Sequence, residues 1–331
     1  MRIGTLFSGG EGVGVGARAA GLEHAWGIES DDDIAGVAQA NGFDVSVADA
    51  LVADPADYAP VDVLHASPPC TTASQASAES ARRARRTGTR ETPEDLVLAR
   101  AVMRFIRELS PALFTLENVY GYRRYESFCL IVSTLYRLGY SYRWHHINMA
   151  DYGIPQTRKR LILVASRDGR PRIPWPTHAE TVPPMFNRRV SWVSWYEAIA
   201  DIIDEMEPDE FADWQLERLP DALATCLIDS AGYPGADGKR VPVMRGADQP
   251  ANTVVANHAR RPMRAYIPVF TITATRASVS SRVVRIGVRG LARFQSFPDS
   301  YILPPNDALG VRVVGNAVPP LFYRRLIEAQ L

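Results

Sequence analysis

The chain has 331 residues, enough to bury a sizeable core and to divide into two lobes. Its 37 basic and 37 acidic residues cancel, so net charge does not mark a nucleic-acid binder, and any such role rests on how charge is distributed. No stretch approaches the roughly 18 apolar residues of a membrane span, the start has no signal-peptide pattern, and three separated cysteines (Cys70, Cys129, Cys226) form neither a disulfide framework nor a zinc motif; the expectation is a soluble cytoplasmic protein that needs no membrane and no metal.

A strand over residues 3–7 runs into Ser8-Gly-Gly-Glu-Gly-Val-Gly-Val-Gly and an alanine-rich helix ending near Gly21. Strand, glycine turn and helix open a nucleotide-binding α/β fold, because glycine lets the backbone approach a ligand and the helix N-terminus faces it. A second strand over residues 24–28 ends in Glu29, about 20 residues beyond the glycines, where an acid can accept from ribose hydroxyls. A third, over residues 45–49, ends in Asp49. On spacing alone either acid reads equally well as a solvated strand end.

A short apolar run (Val61, Val63, Leu64) then stops at Ser67-Pro-Pro-Cys70, a buried strand delivering a rigid turn. The thiol stands at a strand's carboxyl end, where open α/β sheets bind ligands, although an isolated cysteine is more often an inert buried thiol. Residues 71–91 are polar and hold Arg82, Arg83, Arg85, Arg86 and Arg90. So long a segment without apolar periodicity suggests an active-site loop, with a solvated charge run as the plainer alternative.

Thr92-Pro-Glu-Asp starts a helix with an N-cap, a first-position proline and acids in the first turn; Leu98, Val102, Phe105, Ile106 and Leu109 recur at helical spacing before Pro111. The strand over residues 112–116 presents Glu117-Asn118-Val119 toward the same crevice as Cys70. A helix over residues 128–138 and a strand over residues 142–147 come next, with His145 and His146 as strand residues rather than metal ligands. Gln156, Arg158 and Arg160 alternate ahead of the apolar Leu161-Ile-Leu-Val-Ala and so share one face of an extended segment. Beyond residue 166, proline becomes frequent, Trp175, Trp192, Trp195 and Trp214 appear, and helix–strand alternation is lost. A second, irregular or β-rich module is expected there, with a helix near residues 194–206. The tail regains helical periodicity with Leu291, Phe294 and Phe297, then shows Gly315-Asn-Ala-Val-Pro-Pro and a closing helix from Leu321.

In order, Thr5-Leu-Phe-Ser-Gly-Gly-Glu-Gly, Glu29, Ser67-Pro-Pro-Cys70, Glu117-Asn-Val, Gln156-Thr-Arg-Lys-Arg, Ala292-Arg-Phe-Gln-Ser-Phe-Pro-Asp299 and Gly315-Asn-Ala-Val-Pro-Pro resemble the motifs of DNA cytosine-5 methyltransferases. The resemblance spans nearly the whole chain except residues 181–284. It implies a Rossmann-like class I methyltransferase fold: an α/β domain with a mostly parallel sheet, plus a smaller irregular or β-rich target-recognition domain. The implied bounds are a catalytic and cofactor-binding domain over residues 1–180, recognition over 181–284, and a return to the catalytic domain over 285–331. By resemblance the glycine turn holds S-adenosyl-L-methionine, with Phe7, Ser8, Gly9, Gly10, Gly12, Glu29, Asp49, Pro69, Asn316 and Val318 lining the cofactor pocket.

The same resemblance makes Cys70 the nucleophile, Glu117 the acid at the base's Watson–Crick edge, and Arg158 and Arg160 charge partners in catalysis. DNA contacts would come from Arg82, Arg83, Arg85 and Arg86 of the loop, from Arg240 and Arg245 in the recognition module, and from Arg289 in its framework. Thiolate addition at C6 makes cytosine C5 nucleophilic enough to take a methyl group, and the buried target atom requires the base to be flipped out of the duplex. The implied partner is double-stranded DNA, the protein is expected to be a monomer, and a restriction endonuclease is a candidate cellular partner. Alternatives are the same chemistry on RNA (transfer RNA), a catalytically silent DNA-binding homologue and, from a different class, a nicotinamide-dependent oxidoreductase. The chain departs from the family pattern at Thr5 (usually an acid), Glu11 (usually glycine), Thr71-Thr-Ala-Ser74 after the nucleophile, and Gly290 (usually an acid).

Overall fold

Short apolar strands alternating with amphipathic helices generate the first part of the fold: β1 (Arg2–Leu6), α1 (Gly12–Ala19), β2 (Glu23–Glu29), α2 (Asp32–Ala40), β3 (Val45–Val47), β4 (Val63–Ala66), α3 (Pro93–Leu109), β5 (Leu113–Val119), α4 (Glu126–Arg137), β6 (Ser141–Asn148) and β7 (Lys159–Ser166). The computed structural model describes residues 1–69, 91–181, 188–211, 224–234, 240–272 and 277–331. They fall into two units, one comprising Met1–Met149, Lys159–Trp175 and Ala317–Leu331, the other Ala150–Arg158 and Pro176–Asn316.

In the first unit a seven-stranded sheet runs β3-β2-β1-β4-β5-β7-β6. β1 to β5 pair in parallel, whereas β7 is antiparallel to both neighbours. The register aligns the strand ends. Leu6 is opposite Ile28 and Ala66, and Ala66 is opposite Leu116. Phe7, Glu29, Ser67 and Glu117 therefore stand in one row just beyond these pairs, at the strands' carboxyl ends.

Alternation along each strand divides the side chains between two faces. On one, Leu6, Leu64, Ala66, Phe114, Leu116, Leu161 and Leu163 pack with Val102, Phe105 and Ile106 of α3 and Phe128, Ile131 and Leu135 of α4. On the other, Thr115 hydrogen-bonds Tyr323 of the closing helix Pro320–Glu328 at 3.0 Å. That helix meets α1 at backbone distance: a Cβ on Gly16 would lie 2.4 Å from the Pro320 carbonyl oxygen. α3 begins as its sequence requires, with Thr92 and Asp95 forming a capping box around Pro93.

The second unit holds a separate antiparallel sheet of β8 (Cys226–Pro234), β9 (Arg240–Gly246), β10 (Met263–Ile272) and β11 (Ala277–Arg285), ordered β9-β8-β10-β11. Gln156–Thr157 pairs in parallel with Ala251–Asn252. The fold class is thus the one expected, a large mostly parallel sheet with helices on both faces and a separate β module. Two helices differ from expectation. In place of one helix over residues 194–206 there is a short helix, Trp195–Ile199, capped by Ser194, and then a 3-10 turn at Ile203–Glu205. A further helix, Asp307–Asn316, forms without a clear sequence signal, because Gly310 and Gly315 weaken its propensity. Packing calls for those glycines: a Cβ would stand 2.7 Å from Val288 Cγ1 at Gly310 and 2.5 Å from the backbone at Val255 and Ala256 at Gly315.

The contact at Gly16 gives a direct test. Gly16→Ala should destabilise the protein by about 1–3 kcal/mol through overpacking. Chemical denaturation reads the change; a midpoint at or above that of the parent would show that α1 and the closing helix do not touch as described.

Candidate active site

The glycine turn after β1 is held by side chains as well as by glycine. Phe7 and Glu11 both adopt left-handed backbone (φ 57), as does Gly9 (φ 56). For residues with a Cβ this conformation costs on the order of 1–3 kcal/mol, so the surroundings must impose it. The Ser8 N–H donates to the Ile28 carbonyl at 3.0 Å, and the Gly9 N–H donates to Glu29 Oε2 at 2.9 Å. These two bonds tie the ends of β1 and β2 together, and Glu29 Oε1 accepts from the Asp31 N–H at 3.0 Å.

Glu11 is completely buried beneath this turn. Its Oε1 accepts from the Thr5 hydroxyl at 2.5 Å and lies 3.0 Å from His24 Nε2, while Oε2 accepts from the Gly14 N–H at 3.1 Å. Two glycines make room for the carboxylate: a Cβ at Gly27 would sit 2.4 Å from Oε1, and one at Gly14 2.6 Å from Oε2. The two positions at which the turn departs from the family pattern, Thr5 and Glu11, are thus bonded to each other. The sequence shows each departure but not their pairing, which the reversal of the chain at residues 8–11 brings about.

These atoms fit S-adenosylmethionine. Nothing lies within 4 Å of a Cβ position on Gly9, and Ser8 Oγ is buried without a partner among the described residues. Glu29 Oε2 gives one lone pair to the Gly9 N–H and has a second with which to accept a further donor such as a ribose hydroxyl. Asp49 is exposed and caps the Leu51 N–H at 2.9 Å. Pro69 is exposed, Val318 is buried in the first unit, and Asn316 ends its helix in the second.

Further along the row, two contacts fix the turn leading to residue 70. The Asn118 amide donates to the Pro68 carbonyl at 3.0 Å. His65 spans from Ser67 Oγ at 2.7 Å to Thr115 Oγ1 at 2.9 Å, and Thr115 continues to Tyr323. Burial pushes His65 down to about 3, so the ring is neutral. A histidine inside an apolar strand is the only sequence signal for this chain of contacts, whose members lie far apart in sequence. Cys70 and the loop arginines Arg82, Arg83, Arg85 and Arg86 lie outside the described residues.

Glu117 is buried, with Oε1 2.9 Å from Arg160 Nε. Burial draws the Arg160 guanidinium below its ordinary value, and Glu117 opposes that shift. Arg158 is buried in the second unit, where Nη1 donates to the carbonyls of Val254 at 3.1 Å and Gly315 at 3.2 Å. Gln156, also there, donates to the Phe294 carbonyl at 2.8 Å and accepts from the Val254 N–H at 3.0 Å. Arg245 donates to Asn252 Oδ1 at 2.8 Å, Arg289 donates to the Tyr301 carbonyl at 2.9 Å, and Arg240 begins β9. Gly290 replaces the family's acid where a Cβ would already stand 2.9 Å from Ile286 Cγ2.

Residues 1–330 match the family model of C-5 cytosine-specific DNA methylases. The chain is 25% identical to the type II methyltransferase M1.HphI of Haemophilus parahaemolyticus, over 98% of this chain and 85% of that one. It is 26% identical to the type II methyltransferase M.DdeI of Desulfomicrobium norvegicum, over 99% and 88% respectively. Its fold is similar to that of a prophage-encoded DNA modification methyltransferase from E. coli, with TM-score 0.64, 16% identity and coverage of 100% and 98%. The S. pombe Dnmt2 methyltransferase has TM-score 0.60 at 12% identity, with 99% and 97% covered.

Two outcomes are expected from the buried groups. Glu11→Ala should weaken S-adenosylmethionine binding about tenfold or more by releasing the turn, and Glu11→Gln, whose amide oxygen can still accept from the Gly14 N–H while its NH2 donates to Thr5 Oγ1, should weaken it less; calorimetry distinguishes them, and equal affinities for parent and Glu11→Ala would contradict the bracing role. Because His65 takes up its proton far below an unfolded histidine, the unfolded chain binds the extra proton first as pH falls from about 6.5 toward about 3. His65 therefore makes the parent lose up to ~1.4 kcal/mol of stability per pH unit in that window. His65→Asn should flatten the dependence, and identical slopes would rule out a buried neutral ring.

Proposed function

The chain belongs to the C-5 cytosine-specific DNA methylase family, and from that premise we propose that it methylates C5 of a flipped-out cytosine in duplex DNA, using S-adenosylmethionine and a covalent bond between Cys70 and C6. The single observation that carries this assignment is the row of strand ends. Glu29 and Glu117 are separated by β1 and β4, three strand spacings or about 14 Å. A nucleoside-bearing cofactor at one end of the row and a pyrimidine at the other therefore fit along one sheet edge, with the Ser67–Pro69 turn between them.

When bound, S-adenosylmethionine supplies an electrophilic methyl group. The backbone of Ser8, Gly9, Gly10 and Gly12, the Phe7 and Pro69 rings, Asp49 and Val318 would hold it, with Glu29 taking the ribose hydroxyls. Cys70 adds as thiolate to C6 of the cytosine. Glu117, held by Arg160, would donate a proton at N3 and so neutralise the negative charge that addition creates. C5 so activated would take the methyl carbon as its bond to the sulfonium breaks and leaves a neutral thioether; loss of the C5 proton to water would then expel Cys70 as thiolate and restore the C5–C6 double bond. A free thiol with a pKa near ~8.5 is only a few per cent ionised at neutral pH, so the first step calls for positive charge beside the thiol.

Flipping the nucleotide costs roughly a few kcal/mol, which the arginines of residues 82–86 would offset by holding phosphates. Arg158, through its bonds to the carbonyls of Val254 and Gly315, braces the second unit. We assign target recognition to residues 181–284, with Arg240 and Arg245 among the DNA-facing candidates and Arg289 in the supporting framework. The type II relatives are consistent with a cellular partnership with a restriction endonuclease.

Cys70→Ala should abolish methyl transfer to duplex DNA, and a parental rate in that variant would exclude the covalent route. Glu117→Gln should lower kcat about 10²–10⁴-fold, as expected for loss of acid–base assistance. Bisulfite sequencing of DNA from cells expressing the parent should show protected cytosines within one short sequence. Methylation confined to RNA in a competition assay would overturn the choice of substrate.

A further inference from the structure

Immediately beyond Glu117 the chain leaves β5 through a 3-10 turn, Tyr120–Arg124, whose side chains the proposed catalytic steps do not use. Tyr120 is 48% exposed yet held in place: its ring stacks on His146 with centroids 3.5 Å apart and planes 28° from parallel. Behind His146 stands Trp144, with ring centroids 5.7 Å apart, and Phe128 meets Trp144 edge-on. The Arg123 guanidinium lies 4.9 Å over the Trp144 ring. Arg123 and Arg124 are both exposed.

Burial holds the His146 pKa down, and positive charge on Arg123, Arg124 and His145 lowers it further, opposed by a hydrogen bond to the Tyr120 backbone. His146 Nε2 has no hydrogen-bond partner among the described residues. A neutral stacked ring thus supports an exposed aromatic face beside two exposed guanidinium groups, three residues past the buried acid. Core packing does not require Tyr120 in this position, because nearly half of it faces solvent. The chemistry it suits is a chain carrying regularly spaced anions and flat heterocycles. Guanidinium forks bind phosphates, and an aromatic face accepts an unpaired base or the apolar side of a sugar.

We propose that Tyr120, Arg123 and Arg124, supported by His146 and Trp144, form a DNA contact on the catalytic unit, separate from residues 181–284, in which the arginines bind backbone phosphates of the strand carrying the target cytosine and Tyr120 packs against a nucleotide beside it. This rests on the DNA methylase assignment and adds to it where part of the affinity independent of sequence arises. Phosphate contacts of this kind position the duplex without reading it.

The test is the salt dependence of duplex binding with the full-length protein. Each phosphate contact contributes about −0.9 to the slope of log K against log salt. Arg123→Ala combined with Arg124→Ala should therefore reduce the slope's magnitude by about 2 and weaken binding at least tenfold near 0.1 M salt, on specific and nonspecific duplexes alike, with cofactor affinity unchanged. Lys at both positions should restore the slope. Tyr120→Ala should weaken binding severalfold while leaving the slope unaltered. Arg167→Ala with Arg170→Ala is the control: both residues follow Ser166, which pairs with Leu113 at the opposite end of β5 from Val119. An unchanged slope in the Arg123/Arg124 variant, or an equal loss in the control, would overturn this contact while leaving the methylase assignment intact. A parent protein that neither binds nor methylates duplex DNA would overturn that assignment itself.

Discussion

In-register pairing of parallel strands is the constraint on which the rest depends. Leu6 opposite Ile28 and Ala66, and Ala66 opposite Leu116, bring residues from positions 7 to 117 onto one edge. A one-residue slip of β5 would turn Glu117 to the other face of the sheet and carry Thr115 away from His65 and Tyr323. Burial on both faces opposes such a slip, since α3 and α4 cover one side and the closing helix packs on the other. The chemistry is thus positioned by the core, and the residues at the strand ends inherit its rigidity.

Within that frame, the Glu11 carboxylate is the most expensive group beneath the turn. A buried ionised group costs several kcal/mol unless its oxygens are satisfied, and here the Thr5 hydroxyl, the Gly14 N–H and His24 Nε2 all approach it. The space they share exists because residues 14 and 27 are glycine. A carboxylate contributed by the turn thereby occupies the surroundings of Thr5, the strand position at which the family pattern has an acid. Left-handed backbone at Phe7 and Glu11 bounds the same turn.

Much of this is legible in the sequence, for local reasons. The capping box at Thr92, the glycine turn after a five-residue strand and the apolar β7 each announce themselves within a dozen residues. The ordered motifs also carry the family, because each is a short run in which residue type is dictated by chemistry. Long-range pairings are hidden: no periodicity connects His65 with Thr115 and Tyr323, or Glu11 with His24. Asp307–Asn316 escapes a sequence reading for a different reason, since its two glycines lower helix propensity while permitting the close approaches that hold it. Arg245 illustrates the remaining gap, because its bonds to Asn252 and Thr157 join residues too far apart in sequence for any local pattern to show.

Two requirements meet at the Ser67–Pro69 turn. On the proposed mechanism it must be rigid, and the Asn118 amide and the His65 ring brace it at Pro68 and Ser67. On the same mechanism it would also stand between a cofactor and a base. The most direct measurement of this account is covalent trapping on duplex DNA in which 5-fluorocytosine replaces the target base, with S-adenosylmethionine present, followed by denaturing electrophoresis and mass spectrometry. The account predicts a stable protein–DNA adduct mapping to Cys70 and absent from Cys70→Ala. An adduct on another residue, or full methylation of normal duplexes with no trappable adduct, would contradict it.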